Sequence, residues 1–459
     1  VTDLASAETT GEPSPLAVAR HTSDNTEVVV RTLGDHRVIM VTIGGQNDPR
    51  PLAAADGKNL ALAATMAVEQ RLPLVYRLSS TGAAVHEGLA ATNAWGIAAR
   101  SIARASGVVP TIVVVHGAAV AGPALLIGLA DFAVLTEAAY AYVSGPQAVQ
   151  QYTGVPITPE ALGGAALHAR TDGSASFVVA DLDEADDLVS DLLTFLPAHV
   201  DALPPVIPTA DPTDRRTDTL TTILPDSSTG AYDVRDVLRA VADDGEILEC
   251  RTDWASNIVT AFGTVGGRPV GFVANQPQSL AGTLNIEASQ KGARFVGFCD
   301  AFNIPLVTFI DTPGFYPGKD LEWRGMIRHG AQLAFAYARA TVPRVAVTLR
   351  KAYGGAYIVM DSKYMGNDVM LAWPSAEIAV MGAKGAAEIL HRNATPEERV
   401  VHEAEYEERL LNPYVAAERG SVDAVIDPAE TRIHIASALD MLSTKREKLR
   451  SRRHDNIPL

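Results

Sequence analysis

The sequence of 459 residues predicts a layered α/β fold built twice in tandem. Three observations carry this: an internal repeat, one strand and turn of which recur at a constant offset of 233 residues, strands alternating with helical segments through short Gly and Pro turns, and a proline-rich stretch between the copies. Residues 1–24 are polar, with three Asp or Glu before residue 13 and no basic start leading into an apolar run. They are expected to form a loose arm rather than a signal peptide. The first copy, 25–200, contains an apolar helical segment over 59–70, a break at Arg71-Leu72-Pro73 and a strand over 74–78. Its counterpart runs through a helix over 287–302, the break Asn303-Ile304-Pro305 and a strand over 306–310. Next come Val109-Pro110, a β-branched strand and the turn at Ala121-Gly122, matched 233 residues on by Val342-Pro343, a strand and Gly354-Gly355. Residues 107–130 carry no charge, yet Pro110, Gly117, Gly122, Pro123 and Gly128 punctuate them, so a buried strand and helix are expected rather than a membrane span. Each copy then reaches a second glycine turn, at Gly145-Pro146 and Gly382-Ala383. Between the copies, 201–231 is the expected linker, with five Pro within 203–226. The second copy spans 232–445, and 446–459 reads as a basic tail. The apolar helical face around Met326-Ile327, Leu333, Phe335 and Tyr337 is expected to need a second copy of the chain to cover it.

Thirty-eight Lys and Arg against 54 Asp and Glu leave a net charge of −16, a poor start for gripping nucleic acid or an anionic membrane, so neither is an expected partner. Cys250 and Cys299 stand in unrelated contexts, too few for a disulfide framework or a four-cysteine zinc site. A reducing, cytoplasmic setting and no metal are expected. His391 and His402 lack a third ligand at metal spacing and read as surface or helix-end residues. Asp311-Thr312-Pro313-Gly314 resembles one GTP-binding motif, but no phosphate-cradling loop precedes it. No G-x-S-x-G elbow occurs, and neither cysteine sits in an activating motif. What remains is the glycine turns. Backbone amides at a strand-to-helix turn lack intrahelical partners and can hold an anion or a developing oxyanion. Standing alone, the turn at 350–357 is better explained by glycines that let a helix pack closely on a sheet.

The residues also carry a resemblance. Ala274-Asn275-Gln276-Pro277, Lys291-Gly292-Ala293-Arg294-Phe295, Pro313-Gly314-Phe315-Tyr316-Pro317-Gly318, Arg350-Lys351-Ala352-Tyr353-Gly354-Gly355-Ala356-Tyr357, Met381-Gly382-Ala383-Lys384-Gly385-Ala386 and the terminal Asn456-Ile457-Pro458-Leu459 stand in a familiar order. The chain resembles the carboxyltransferase β subunits of acyl-CoA carboxylases, above all the actinobacterial propionyl-CoA carboxylase group. That resemblance implies two tandem crotonase-like domains and a homohexameric ring whose active site lies between the N-domain of one subunit and the C-domain of another. It also implies transfer of carboxylate from carboxybiotin, carried on a separate chain, to the α-carbon of a short acyl-CoA, propionyl- or acetyl-like. In the implied mechanism carboxybiotin releases CO₂, the biotin enolate takes the α-proton and the substrate enolate captures CO₂. Two oxyanion holes suffice, which is why no nucleophile stands out.

By the same resemblance, the amides of Gly355 and Ala356 hold the biotin ureido oxygen, and Ile358 selects the acyl chain. Ala121 and Gly122 serve the thioester, while Gly354, Tyr357, Phe315, Tyr316, Gly382, Ala383, Gly82 and Gly145 line the substrate and biotin sites. No biotin-carrier Met-Lys-Met motif or ATP-binding domain is found, so a biotinylated α subunit is the implied partner. The first half departs from the family. Ser80-Thr81-Gly82-Ala83-Ala84 stands for Ser-Gly-Gly-Ala-Arg, and Val120-Ala121-Gly122-Pro123 for Ala-Gly-Gly-Ala. Pro123 either alters the thioester hole or simply opens the helix that follows. Two other functions fit the same turns: a decarboxylase of a malonyl-type thioester, and a non-catalytic subunit of a carboxylase complex.

Overall fold

A computed structural model describes residues 16–17, 23, 25–45, 48–227, 229–445, 447–449 and 456. The expected arm and tail therefore fall mostly outside the described residues. Within the arm, Leu16–Ala17 pairs antiparallel with Val29 and Val30. The chain divides into two compact units, 1–165 with 179–190, and 166–178 with 191–459.

In the first unit, β1 (Thr26–Leu33) and β2 (His36–Ile43) form a hairpin. Helix α1 (Ala54–Gln70) leads to β3 (Leu74–Ala83), α2 (Leu89–Ala105) to β4 (Thr111–Val120), and the short α3 (Gly122–Leu125) to β5 (Phe132–Thr136). Strands β2, β3, β4 and β5 lie parallel in that order. A last short strand, β6 (Tyr140–Tyr142), pairs with the far end of β4 and precedes helix α4 (Pro146–Thr153). Ile112–Val115 is buried throughout, as a parallel strand covered on both faces should be, and the uncharged stretch is strand then helix as expected. Helix α1 starts where the Asp56 carboxylate accepts the Ala53 amide at 2.8 Å, and it ends with Arg71 in the left-handed region at φ 56°.

The second unit repeats this plan. Helix α5 (Val234–Val241) precedes the antiparallel pair β7 (Ile258–Val265) and β8 (Arg268–Asn275). Then come α6 (Ile286–Ala301), β9 (Leu306–Thr312), α7 (Met326–Arg339), β10 (Arg344–Tyr353), α8 (Gly354–Val359), β11 (Val369–Ala372), β12 (Glu377–Ala379), α9 (Ala383–Leu390) and, near the end, α10 (Thr431–Met441). The repeat holds at the level of register. Leu74 lies opposite Ile39 and Thr111, and Leu306 opposite Gly271 and Arg344. The ladder slips between Leu78 and Ser80 in one unit and between Ile310 and Thr312 in the other. At both slips a hydroxyl accepts the amide of a positive-φ glycine two residues on: Ser80 Oγ from Gly82 at 3.3 Å, and Thr312 Oγ1 from Gly314 at 3.4 Å.

One face of the second sheet carries an apolar core in which Val237, Leu238 and Ile435 meet Phe309, Leu349 and Trp373. The stretch expected to be a linker is packed on this unit. Ile207 donates to Gly267 at 2.8 Å and Thr217 to Ala429 at 2.7 Å. The fully buried Arg432 donates to the carbonyls of Pro212 at 3.1 Å and Val241 at 2.5 Å, and to the Asp243 carboxylate at 2.6 Å. Its proline and aspartate richness serves a buried guanidinium far along the chain, which composition alone does not disclose. The apolar face foreseen on α7 also divides: Met326, Leu333 and Tyr337 are buried in the chain itself, while Ile327 stays 84% exposed. Among the described residues no helix is long and apolar enough to cross a membrane.

Candidate active site

Both glycine turns lie at the carboxyl end of the fourth main strand of their unit. In the second unit β10 ends at Tyr353 and Gly354 turns the chain at φ +58°; a Cβ there would sit 3.0 Å from the Val380 carbonyl oxygen. Both features favour glycine. Gly355 and Ala356 follow in the first turn of α8, where amides have no carbonyl four residues back within the helix. The ring of Phe315 flanks them, 3.6 Å from where a Cβ on Gly355 would be. Phe315 is itself held by Ile286, Leu321 and Met326, whereas the neighbouring Tyr316 is exposed. The Tyr357 hydroxyl is buried with no partner among the described residues, and burial pushes its pKa up to about 12. Ile358, one residue on, is 37% exposed. Gly382 caps α9 against the Tyr353 ring, with 3.3 Å to a would-be Cβ, and Ala383 opens that helix, buried. The Tyr353 hydroxyl is hydrogen-bonded to Glu377, so turn, ring and second glycine turn are tied together.

Beneath this turn lies a network that the sequence reading did not single out. The buried Asp311 carboxylate accepts from Arg350 Nε at 3.1 Å, the Lys351 amide at 3.1 Å and the Tyr232 hydroxyl at 3.0 Å. Arg350 also donates to the Gly230 carbonyl at 2.8 Å. Burial pushes the Asp311 carboxyl up against the downward pull of Arg350. The signal was present in Asp311-Thr312-Pro313-Gly314, read only as a GTP-binding lookalike. What reveals its use is the register that sets β9 beside β10.

In the first unit β4 ends at Val120, and Ala121 takes φ +59°, ψ −127°, a φ that Gly354 shares at +58°. The Ala121 amide donates to the Tyr142 carbonyl at 2.9 Å. It is engaged by the chain's own backbone, so the expectation that it serves as a free donor is corrected. Pro123 occupies the first turn of α3, where a missing N–H leaves no helix bond unmade, and the same ring removes the amide that Ala356 keeps at the equivalent place. Of positions 121–123 only Gly122 keeps an unengaged amide. The indole of Trp95 covers that glycine, with Nε1 at 2.7 Å from a would-be Cβ. Gly82, at φ +112°, lies 3.7 Å on the same measure from the Val120 carbonyl, and Gly145 caps α4 beside the Tyr142 ring at 3.4 Å. Among the described residues no group of three or more His, Cys, Asp and Glu is arranged to hold a metal. His391 and His402 stack on each other, ring centroids 3.7 Å apart.

The chain as a whole is matched in known proteins. The Carboxyl transferase domain family matches residues 43–457. The propionyl-CoA carboxylase beta chain of Saccharopolyspora erythraea is 44% identical over 422 residues, spanning 88% of this chain and 77% of that one. The methylmalonyl-CoA decarboxylase subunit alpha of Veillonella parvula is 42% identical over 395 residues, spanning 86% and 77%. A crystal structure of the transcarboxylase 12S hexamer with methylmalonyl-coenzyme A and methylmalonic acid bound matches at TM-score 0.92 and 39% identity, over 95% of this chain and 85% of that one. The two α/β units are the tandem crotonase-like units of the carboxyltransferase fold. With the family matched across nearly its whole length and relatives at this identity, the chain belongs to the carboxyl transferase family and is a carboxyltransferase enzyme.

Proposed function

We propose that this biotin-dependent acyl-CoA carboxyltransferase moves carboxylate from carboxybiotin to the α-carbon of a short acyl-CoA, propionyl- or acetyl-like. The observation that carries the reading is the repeated turn, which leaves the amides of Gly355, Ala356 and Gly122 without partners inside their helices. Such donors act on charge that appears only as the reaction proceeds. The residues fit a biotin ring. The buried Tyr357 hydroxyl, without a partner among the described residues, and the Phe315 ring beside the Gly355 backbone offer one polar group and one flat apolar wall. Gly355, Ala356 and Tyr357 would hold the ring, with Gly354, Phe315, Tyr316, Gly382 and Ala383 around it. Carboxybiotin, borne by a separate biotinylated α subunit, supplies the carboxyl group. On the thioester side, Gly122 polarises the carbonyl, framed by Ala121, Gly82 and Gly145. The aliphatic, part-exposed Ile358 meets the acyl tail. A homohexamer, the assembly of the 12S relative, and a cytoplasmic setting accord with exposed apolar residues in both units and with two free, buried cysteines.

ATP-dependent incorporation of labelled bicarbonate into propionyl-CoA, on adding a biotinylated α subunit, is the test. No incorporation with any short acyl-CoA rejects the proposal. One second reading has an observation in its favour, the 42% identity to a methylmalonyl-CoA decarboxylase subunit. Turnover of methylmalonyl-CoA or malonyl-CoA without biotin or ATP would select it.

A further inference from the structure

The two turns differ in how many donors the backbone offers. At the constant offset, Gly122 matches Gly355 and Pro123 matches Ala356, so the second of two adjacent free amides in one unit is a proline nitrogen in the other. The remaining candidate, the Ala121 amide, is bonded to Tyr142. One backbone donor is left to face a thioester oxygen.

The side chain nearest the Cβ position of Gly122 is Trp95, in the second turn of α2. All three atoms closest to a would-be Cβ on Gly122 belong to its pyrrole ring: Nε1 at 2.7 Å, Cδ1 at 2.8 Å and Cε2 at 2.9 Å. The edge bearing the N–H therefore lies over the turn, and any residue but glycine at 122 would collide with it. The indole is half-buried, and it makes no hydrogen bond among the described residues. A tryptophan N–H in such a place normally has an acceptor. Its depth is set by the helix crossing beneath. A Cβ on Gly57 of α1 would lie 2.3 Å from the carbonyl oxygen of Ala94, the residue before Trp95, so the two helices touch backbone to backbone there.

We propose that Trp95 is a catalytic residue whose indole N–H is the second donor to the thioester oxygen, replacing the amide lost at Pro123. This rests on the carboxyl-transfer reading above. As the α C–H bond breaks, its electron pair forms the Cα–C double bond and the carbonyl π pair moves onto oxygen, while the proton passes to the base that carboxybiotin would supply on losing CO₂, the same CO₂ that the enolate carbon then takes up. The charge on that oxygen is shared by the Gly122 amide and the Trp95 indole.

The test uses the whole chain in two measurements. One is carboxyl transfer from methylmalonyl-CoA to free biotin, which passes through the same enolate in reverse. The other is the carbonyl ¹³C shift of bound [1-¹³C]propionyl-CoA. Trp95→Phe keeps the ring and removes the N–H. It should lower kcat about 10²–10³-fold, the usual effect of one lost oxyanion donor, with KM within about threefold, and return the carbonyl shift toward its free value. Adding Pro123→Ala, which restores an amide, should recover about tenfold of the loss. Wild-type kcat and an unmoved carbonyl shift in Trp95→Phe overturn the proposal. A wild-type carbonyl shift that Trp95→Phe abolishes, in a protein that transfers no carboxylate, keeps the donor and rejects the carboxyl-transfer reading. A chain that binds no acyl-CoA rejects both.

Discussion

Gly355 and Ala121 occupy neighbouring steps of the same turn in different units, and each is tested by a single side chain. A Cβ on Gly355 meets nothing closer than Phe315 at 3.6 Å, and its φ is not positive, so Gly355→Val should fold. Its branched side chain projects into the space where the ureido ring is proposed to lie. Carboxyl transfer should fall at least about 10²-fold while the thermal midpoint holds. Wild-type turnover would show that the turn is only structural. Ala121 is the opposite case, a residue with a Cβ held where glycine is at ease, a strain on the order of 1–3 kcal/mol. Ala121→Gly should raise the thermal midpoint, and combined with Pro123→Ala it should raise kcat/KM as well. An unchanged or lower kcat/KM would show that the native turn is already fully competent. The glycine turns were legible because a strand followed by Gly-Gly is a local signal. Trp95 was not: it stands 27 residues from Gly122, and only the α1–α2 crossing brings its ring over the turn.

At the scale of an element, β4 and its repeat β10 show what one strand face can do. Where β10 places Leu349 in an apolar core, β4 places His116, buried, with neither ring nitrogen hydrogen-bonded among the described residues. Burial, aided by the nearby Arg77 charge, lowers the His116 pKa to about 4. The folded state thus refuses a proton that the unfolded chain accepts below its ordinary pKa of 6.5. Above that value His116 adds no pH dependence, and stability falls as pH drops from 6.5 towards 4. Copying the second unit with His116→Leu should remove this acid-sensitive share and stabilise the unit by about 1–3 kcal/mol at neutral pH, since two unpaired buried nitrogens go. Melts at pH 7 and pH 5 check it: the gap between the two midpoints should narrow relative to wild type, and an unchanged gap refutes the assignment. The strands and helices themselves were legible, because apolar, β-branched-rich runs that begin after an aliphatic residue and Pro repeat in sequence. The Asp311–Arg350–Tyr232 network was not. Its members are separated by tens of residues, and sheet register alone makes them neighbours.

For the whole molecule, the repeat extends to what each unit leaves uncovered. Leu125 is 49% exposed and its counterpart Ile358 37%, while Val143 is 58% exposed and its counterpart Val380 75%. In each unit these residues lie next to the glycine turns. One such residue is ordinary, but the same apolar rim kept at equivalent places in two diverged copies is the pattern of a surface that another chain covers. The net charge of −16 works against self-association only weakly at physiological salt, where charges beyond about 8 Å are screened. The chain should therefore assemble beyond a monomer at micromolar concentration. Val143→Glu with Val380→Glu should shift it to smaller species, because each carboxylate would have to be desolvated in the contact. Analytical ultracentrifugation gives the masses, and carboxyl transfer assayed on the same samples should decline as assembly does. A wild-type chain sedimenting as a single copy would reject the assembly. A double variant that stays assembled and active would show that these rims remain in water and that the contact lies elsewhere.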